Sequence, residues 1–277
     1  MGLEFELLHD DINKGAVMLL HGLTGTPFEL KKYAQFLFNQ GYDVFAPCLP
    51  GHGDRVAEIY TVKYQDWLGF VEEKFLKISE KYENVFCSGI CLGAVLSIYL
   101  ATKFSDKLKG VIPCSTTLYL DGWRLPWYRI FMPLGLATIL RFYYNYPECD
   151  PHGIKNEKTR AVIKKLLAKS DVGMNEFPMT GFYELLKLSK MIRKNLYKVT
   201  TPTLLFHSQE DDLTSVKSAD IVFNKINSKD KEKIILYDSY HMIFYDNEKE
   251  FVFSKALDFL DKHTLKSEVK EKEAVCI

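Results

Sequence analysis

Apolar residues along this chain come in short unbroken runs separated by amphipathic stretches. The run Ala16-Val17-Met18-Leu19-Leu20 is apolar at every position, as a strand covered on both faces of a parallel sheet must be, and it stops at His21-Gly22. A helical period takes over near Pro27, with Thr26 suited to the N-cap, Pro27 to the first helical position, and Leu30, Tyr33, Ala34 and Leu37 on one face. Further strands are expected at 42–46, 85–88, 110–113, 202–206 and 234–237, and further helices at 64–78, 92–102 and 249–260. Strand and helix in regular alternation define an α/β protein with a mostly parallel, doubly wound sheet.

After the strand near Gly110–Pro113 the alternation stops for roughly eighty residues, too long for a simple crossover. From 117 to 197 the pattern is helical and rich in aromatic residues. Single aromatics are as well explained by core packing or a dimer surface. A whole block of them, inserted beside the sheet edge where such folds bind ligands, reads as an apolar cap over a pocket, with Trp123, Trp127 and Phe131 as candidate substrate contacts. The organisation expected is therefore a core of 1–116 and 198–262, a helical cap of 117–197, and a tail of 263–277. That tail is rich in lysine and glutamate and is expected to be frayed or disordered.

Charge narrows the function classes. Lys+Arg and Asp+Glu both total 36 in a chain of 277 residues, so no basic excess points to nucleic acid or to an anionic membrane. The longest apolar stretch, 130–140, is roughly half of the ~20 residues a spanning helix needs, so no transmembrane segment is expected. Glu6 stands where a myristoylation signal needs Ser or Thr, and Cys276 sits too close to the C-terminus for prenylation. Six cysteines lie scattered without metal-ligand spacing. With no signal peptide in the letters, reduced thiols in a cytoplasm are expected, and neither metal nor cofactor is called for.

The chemistry concentrates where the third strand meets its helix. Gly89-Ile90-Cys91-Leu92-Gly93 places a cysteine at the centre of a glycine-flanked strand-to-helix turn, the setting in which a G-x-S-x-G elbow presents its serine. The dipole of the following helix favours a thiolate there. On its own this five-residue pattern has little specificity, because buried cysteines are more often inert. Context adds a base and an acid. His241 follows the last strand in Asp238-Ser239-Tyr240-His241, at the sheet edge where an exposed loop must lie. Gln209-Glu210-Asp211-Asp212 follows the 202–206 strand; Asp211 is the first choice for the acid and Asp212 the reserve. The order Cys91, acid, His241 is that of an α/β-hydrolase triad. His21 and His52 sit in glycine loops and read as structural, His207 as a packing residue at a strand end, and His9, His152 and His263 as surface positions. An oxyanion hole would draw its backbone N–H groups from Leu92 and Leu23.

Taken together, His21-Gly22-Leu23-Thr24-Gly25-Thr26-Pro27, Pro50-Gly51-His52-Gly53, the Cys91 elbow, Glu210-Asp211 and Ser239-Tyr240-His241 resemble the bacterial carboxylesterase and monoacylglycerol lipase group of the α/β-hydrolase superfamily. The resemblance spans about 16–261 and is thinnest over the cap. It implies an α/β-hydrolase fold, a small-molecule acyl substrate, and for Leu23, Leu92, Asp211 and His241 the roles their matching positions hold in that group. Cys91 departs from the pattern, because a thiolate leaves a tetrahedral intermediate more readily than an alkoxide. Three readings follow. One is an acyl hydrolase acting on an ester, thioester or lactone through a Cys-His-Asp triad and a covalent acyl-enzyme. Another is an acyltransferase holding its chain as a Cys91 thioester, as polyhydroxyalkanoate synthases do. The third is a non-catalytic binding module with Cys91 as a relic.

Overall fold

The structure, a computed structural model, describes residues 3–10, 13–127, 131–147, 149–167 and 176–275. In chain order the main elements are β1 (Phe5–Leu7), β2 (Ala16–Leu20), α1 (Lys31–Asn39), β3 (Asp43–Ala46), α2 (Tyr64–Ser79), β4 (Val85–Ile90), α3 (Leu92–Lys103) and β5 (Leu108–Cys114). Then come α4 (Met132–Leu136), β6 (Asn145–Pro147), α5 (Glu157–Leu167), β7 (Glu176–Pro178) and α6 (Met179–Asn195). The chain closes with β8 (Thr203–Ser208), α7 (Lys217–Lys225), β9 (Lys231–Leu236) and α8 (Lys249–Val275). Thr26 caps a 3-10 turn over Pro27–Leu30 by accepting a hydrogen bond from the Phe28 N–H, and that turn leads into α1.

Among the described residues the main sheet has seven strands in the order β1-β3-β2-β4-β5-β8-β9, all parallel except the antiparallel edge pair β1 and β3. This is the α/β-hydrolase architecture. The chain steps from β2 outward to β3, then returns to lay β4 on β2's other side, and the direction of winding reverses between β2 and β4. Open sheets bind ligands at such a reversal, beyond the carboxyl ends of the strands. Both strands are buried along their whole length: β2 is apolar throughout, and β4 buries its one hydroxyl, Ser88, by donating it to the Ile112 carbonyl at 2.8 Å.

The missed elements have physical reasons. β1 and the start of β9, Lys231-Glu232-Lys233, lie on the two edges, where one flank faces water and no apolar run is needed. The block between β5 and β8, expected to be helical throughout, also contains the antiparallel pair β6 and β7, each three residues long and too short to show a period. The tail corrects a second expectation. Instead of fraying after 262, α8 continues to Val275. His263, expected at the surface, is buried, as is Thr264: Tyr42 Oη lies 3.1 Å from Thr264 Oγ1 and donates to Asp261 Oδ1 at 2.8 Å. Cys276 is outside the described residues. Among the described residues no helix is long and apolar enough to cross a membrane.

Candidate active site

Cys91 sits on the turn between β4 and α3 with φ 56° and ψ −114°, a left-handed conformation that a residue with a side chain adopts only under constraint from its surroundings. The constraint is close backbone packing. A Cβ on Gly93 would lie 2.0 Å from the Leu20 carbonyl oxygen at the end of β2, and one on Gly89 would lie 2.4 Å from the Gly93 carbonyl. Glycine at both places lets α3 start directly against the sheet, so the helix N-terminus points at the sulfur. The side chain is buried, 6 % exposed, and Thr117 Oγ1 donates to Sγ at 3.4 Å.

His241 reaches the same place from the loop after β9. Its Nδ1 lies 2.8 Å from Asp211 Oδ2 and 3.0 Å from Oδ1, while Nε2 is buried without a hydrogen-bond partner and stands beside the Cys91 thiol. With a carboxylate on Nδ1, that nitrogen carries the proton of the neutral ring and Nε2 is left as acceptor. Asp211 is itself anchored: Oδ1 accepts from the backbone N–H of Leu213 and of Thr214, each at 2.9 Å. Asp212 faces elsewhere and pairs with Arg124 Nε at 3.2 Å. Of the two aspartates left open by the letters, Asp211 is the one on His241.

The electrostatics follow from burial and pairing. Burial works against ionisation of Asp211, but the facing His241, the more distant His207 and the Thr214 N–H overcome it and hold the carboxyl below its ordinary range. Burial likewise opposes a charged His241, and the neighbouring Asp211 and Cys91 outweigh it, so the imidazole is raised well above its ordinary value. A base that gains a proton in the transition state is stabilised by this arrangement.

Several supporting residues carried no signal in the letters. Ser115 Oγ donates to the His241 carbonyl at 2.7 Å, and Asp246 Oδ2 accepts from the Tyr240 N–H at 2.8 Å. Asp246 also accepts from the backbone N–H of Lys155, at 2.7 Å, and of Asn156, at 2.8 Å, joining the histidine loop to the segment between β5 and β8. An isolated Asp three residues before a closing helix looks like any helix-start residue. Only the fold brings it to these three amides.

The loop after β2 forms the facing wall. His21 Nδ1 donates to the Gly22 carbonyl at 2.8 Å and Nε2 accepts from the Leu49 N–H at 3.0 Å; His52 Nε2 donates to the Leu23 carbonyl at 2.5 Å. Burial pushes both imidazoles down, keeping them neutral braces, as the glycine-loop reading expected. Leu23 lines the cavity above Cys91. Leu92 is the first residue of α3, where a helix N–H has no intrahelical carbonyl to bond.

The cavity encloses about 970 Å³ including its open mouth, and most of its wall is apolar: Leu23, Phe28, Ile90, Ile154, Phe182 and Leu185 among others. Trp123, Trp127 and Phe131 are not in that wall. They are 57 %, 75 % and 55 % exposed, and the Trp123 Nε1–H donates to the Glu210 carbonyl at 2.9 Å. The block between β5 and β8 supplies instead Ile154, Ile163, Phe182 and Leu185, together with His152, which sequence placed at the surface. Aliphatic residues at helical spacing look the same whether they face a core or a cavity.

A strained elbow at the switch point of a parallel sheet, with an aspartate and a histidine paired from the loops after β8 and β9, defines an α/β-hydrolase. The chain belongs to the Hydrolase_4 family, described as "Serine aminopeptidase, S33", whose model matches residues 11–249. Among similar proteins are a thermostable monoacylglycerol lipase of a Bacillus species, 26 % identical with 89 % of this chain and 90 % of the relative covered, and a carboxylesterase of Bacillus subtilis, 27 % identical with 89 % and 92 % covered. The solved structure of Paleococcus ferrophilus monoacylglycerol lipase superimposes with a TM-score of 0.77 at 20 % identity, covering 94 % of this chain and 99 % of that one.

Proposed function

We propose that this protein is an acyl hydrolase that cleaves carboxylic esters, thioesters or lactones through a Cys91–His241–Asp211 triad. The observation that carries the reading is the buried His241, bonded to Asp211 through Nδ1 and turned toward the Cys91 thiol through an otherwise unpartnered Nε2. Kinship with a lipase and a carboxylesterase of similar length supports acyl esters as the substrate class. The apolar cavity supports an apolar acyl group. In this reading the block 117–197 acts as a cap.

The reaction then runs in two halves. His241 Nε2 takes the thiol proton as Sγ bonds to the carbonyl carbon, and the carbonyl electron pair moves to oxygen, facing the N–H groups of Leu23 and Leu92. The pair returns, the bond to the leaving alcohol or thiol breaks, and His241 returns the proton to it. Water repeats the sequence on the acyl-Cys91 thioester, with His241 as base and Sγ as leaving group, freeing the acid.

Cysteine at the elbow should show in substrate choice. A thiolate formed as nucleophile is also a better leaving group than an unactivated alkoxide, so the tetrahedral intermediate of an alkyl ester returns to substrate, whereas that of a thioester partitions evenly. Cys91→Ser should therefore raise the ester-to-thioester ratio of kcat/KM for one acyl group, measured against a His241→Ala background. An unchanged ratio would separate Cys91 from the chemistry. Activity of neither form above that background on any donor would favour the binding-module reading, and acyl transfer to an added alcohol outpacing hydrolysis would favour the transferase.

A further inference from the structure

Glu29 belongs to no part of the triad, yet its carboxyl stands inside the site. It lies in the 3-10 turn after the Gly22–Thr26 loop, lines the cavity, and accepts a hydrogen bond through Oε1 from the Gly22 N–H, next to Leu23. A Cβ built on Gly22 would be 3.3 Å from Glu29 Oε1 and 3.4 Å from Cys91 Cβ, so the carboxyl and the nucleophile flank the same point of the loop. A Cβ on Gly25 would fall 1.8 Å from Glu29 Oε2, so glycine there leaves open the space the carboxyl occupies.

We propose that Glu29 sets the charge of the oxyanion pocket: protonated, it leaves the pocket able to accept the tetrahedral anion on Cys91; ionised, its carboxylate repels that anion. This rests on the acyl-hydrolase reading of the same site. Repulsion is strong there because the surroundings are apolar and two like charges in a medium of lowered dielectric interact several-fold more strongly than in water. Glu29 acts through the field around Leu23 and on the loop's geometry, without touching the reacting atoms, and is a positioning residue.

The groups facing it explain where the proton leaves. His241 and Tyr245 approach from the loop after β9, Cys91 from the elbow, and His152 with the Arg124–Asp212 pair from farther along the cavity wall. Lys32 lies 5.2 Å over the Tyr245 ring, and the Tyr245 hydroxyl donates to the Phe28 carbonyl, not to Glu29. Burial is the largest influence on Glu29 and favours the neutral acid; the Gly22 N–H and His241 oppose it only in part, leaving the carboxyl raised from 4.5 to about 7. An acid raised on folding contributes stability that is complete below its unfolded value and is lost as pH climbs through about 7.

Glu29→Gln tests this, because the amide oxygen keeps the bond to Gly22 while the charge is gone. With an acyl thioester as donor, kcat/KM of the parent should fall as pH rises through neutrality, by roughly tenfold at one unit above the midpoint, and Glu29→Gln should lack that limb. The thermal midpoint of Glu29→Gln should gain on the parent between pH 5 and pH 8. A buried carboxyl with no influence on the reacting centre would give the thermal difference but leave kcat/KM without that limb, so the turnover profile is the discriminating readout. An alkyl trifluoromethyl ketone gives a readout without turnover: Cys91 Sγ adds to its carbonyl carbon, the thiol proton passes to His241 and the oxygen becomes the anion. Its affinity for the parent should weaken above pH 7 and stay level for Glu29→Gln. Superimposable pH profiles of the two proteins, in turnover or in ketone affinity, overturn the proposal. A parent that turns over no donor contradicts the hydrolase reading instead, and the ketone titration then still decides the role of Glu29.

Discussion

Asp211→Asn is expected to lower turnover by on the order of 10⁴, the size of loss a wrong-tautomer substitution produces in a comparable triad. The carboxylate on Nδ1 keeps the ring proton there and leaves Nε2 free to take the proton of Cys91. An asparagine can offer its NH₂ to Nδ1, which moves the ring proton to Nε2 and blocks the base. The carboxamide oxygen can still accept from Leu213 and Thr214 N–H, so the loop should keep its course. Asp212→Asn is the matched control. Its carboxylate pairs with Arg124 Nε at 3.2 Å, and the amide replaces that ion pair with a weaker neutral contact. That variant should lose stability while keeping most of its turnover; initial rates beside thermal unfolding of both variants separate the two effects. Equal loss of turnover from the two would reverse the assignment.

The Asp211–His241 pair was legible because motif order and strand ends constrain it. His241 had to follow the last strand, and Asp211 had to lie between it and the elbow. The parallel core was legible for a related reason: a strand such as Ala16–Leu20 is covered on both faces, so its apolar run is continuous. What escaped notice depends on contacts between segments far apart in the chain. Glu29 reads as an ordinary first-turn acid in Thr26-Pro27-Phe28-Glu29, and only the folded loop turns its carboxyl onto Gly22. Trp123 and Trp127 illustrate the opposite error. Large aromatics near a site attract a binding role, but a side chain's direction over an irregular segment is set by tertiary packing, and these two point outward. The aliphatic lining from α5 and α6, Ile163 and Leu185 included, could not be told from core by spacing alone.

Gly93→Ala should be the most damaging single-carbon change in the elbow. The added Cβ would meet Leu20 O at 2.0 Å, Leu20 C at 2.4 Å and His21 O at 2.8 Å, all backbone atoms at the end of β2. No rotamer relieves a clash with main chain. Either α3 retreats from the sheet, moving Cys91 and the Leu92 N–H together, or β2 loses its register with β4. Overpacking of this kind costs about 3 kcal/mol or more. Gly69→Ala in the exposed middle of α2 has nothing within 4 Å of the new Cβ and should instead stabilise by about 0.5–1 kcal/mol. Denaturant titration of the two variants measures the contrast. A Gly93→Ala protein as stable and as active as the parent would mean that the elbow does not rest on the end of β2.

The central claim is that Cys91 carries the acyl group. Rapid acid quenching of the parent mixed with an acyl thioester, followed by intact-mass and peptide mass measurement, should show one acyl increment confined to the peptide containing Cys91. That increment should be absent from Cys91→Ala, which should also have lost turnover. Acyl label on another residue, or undiminished hydrolysis by Cys91→Ala, would contradict the account.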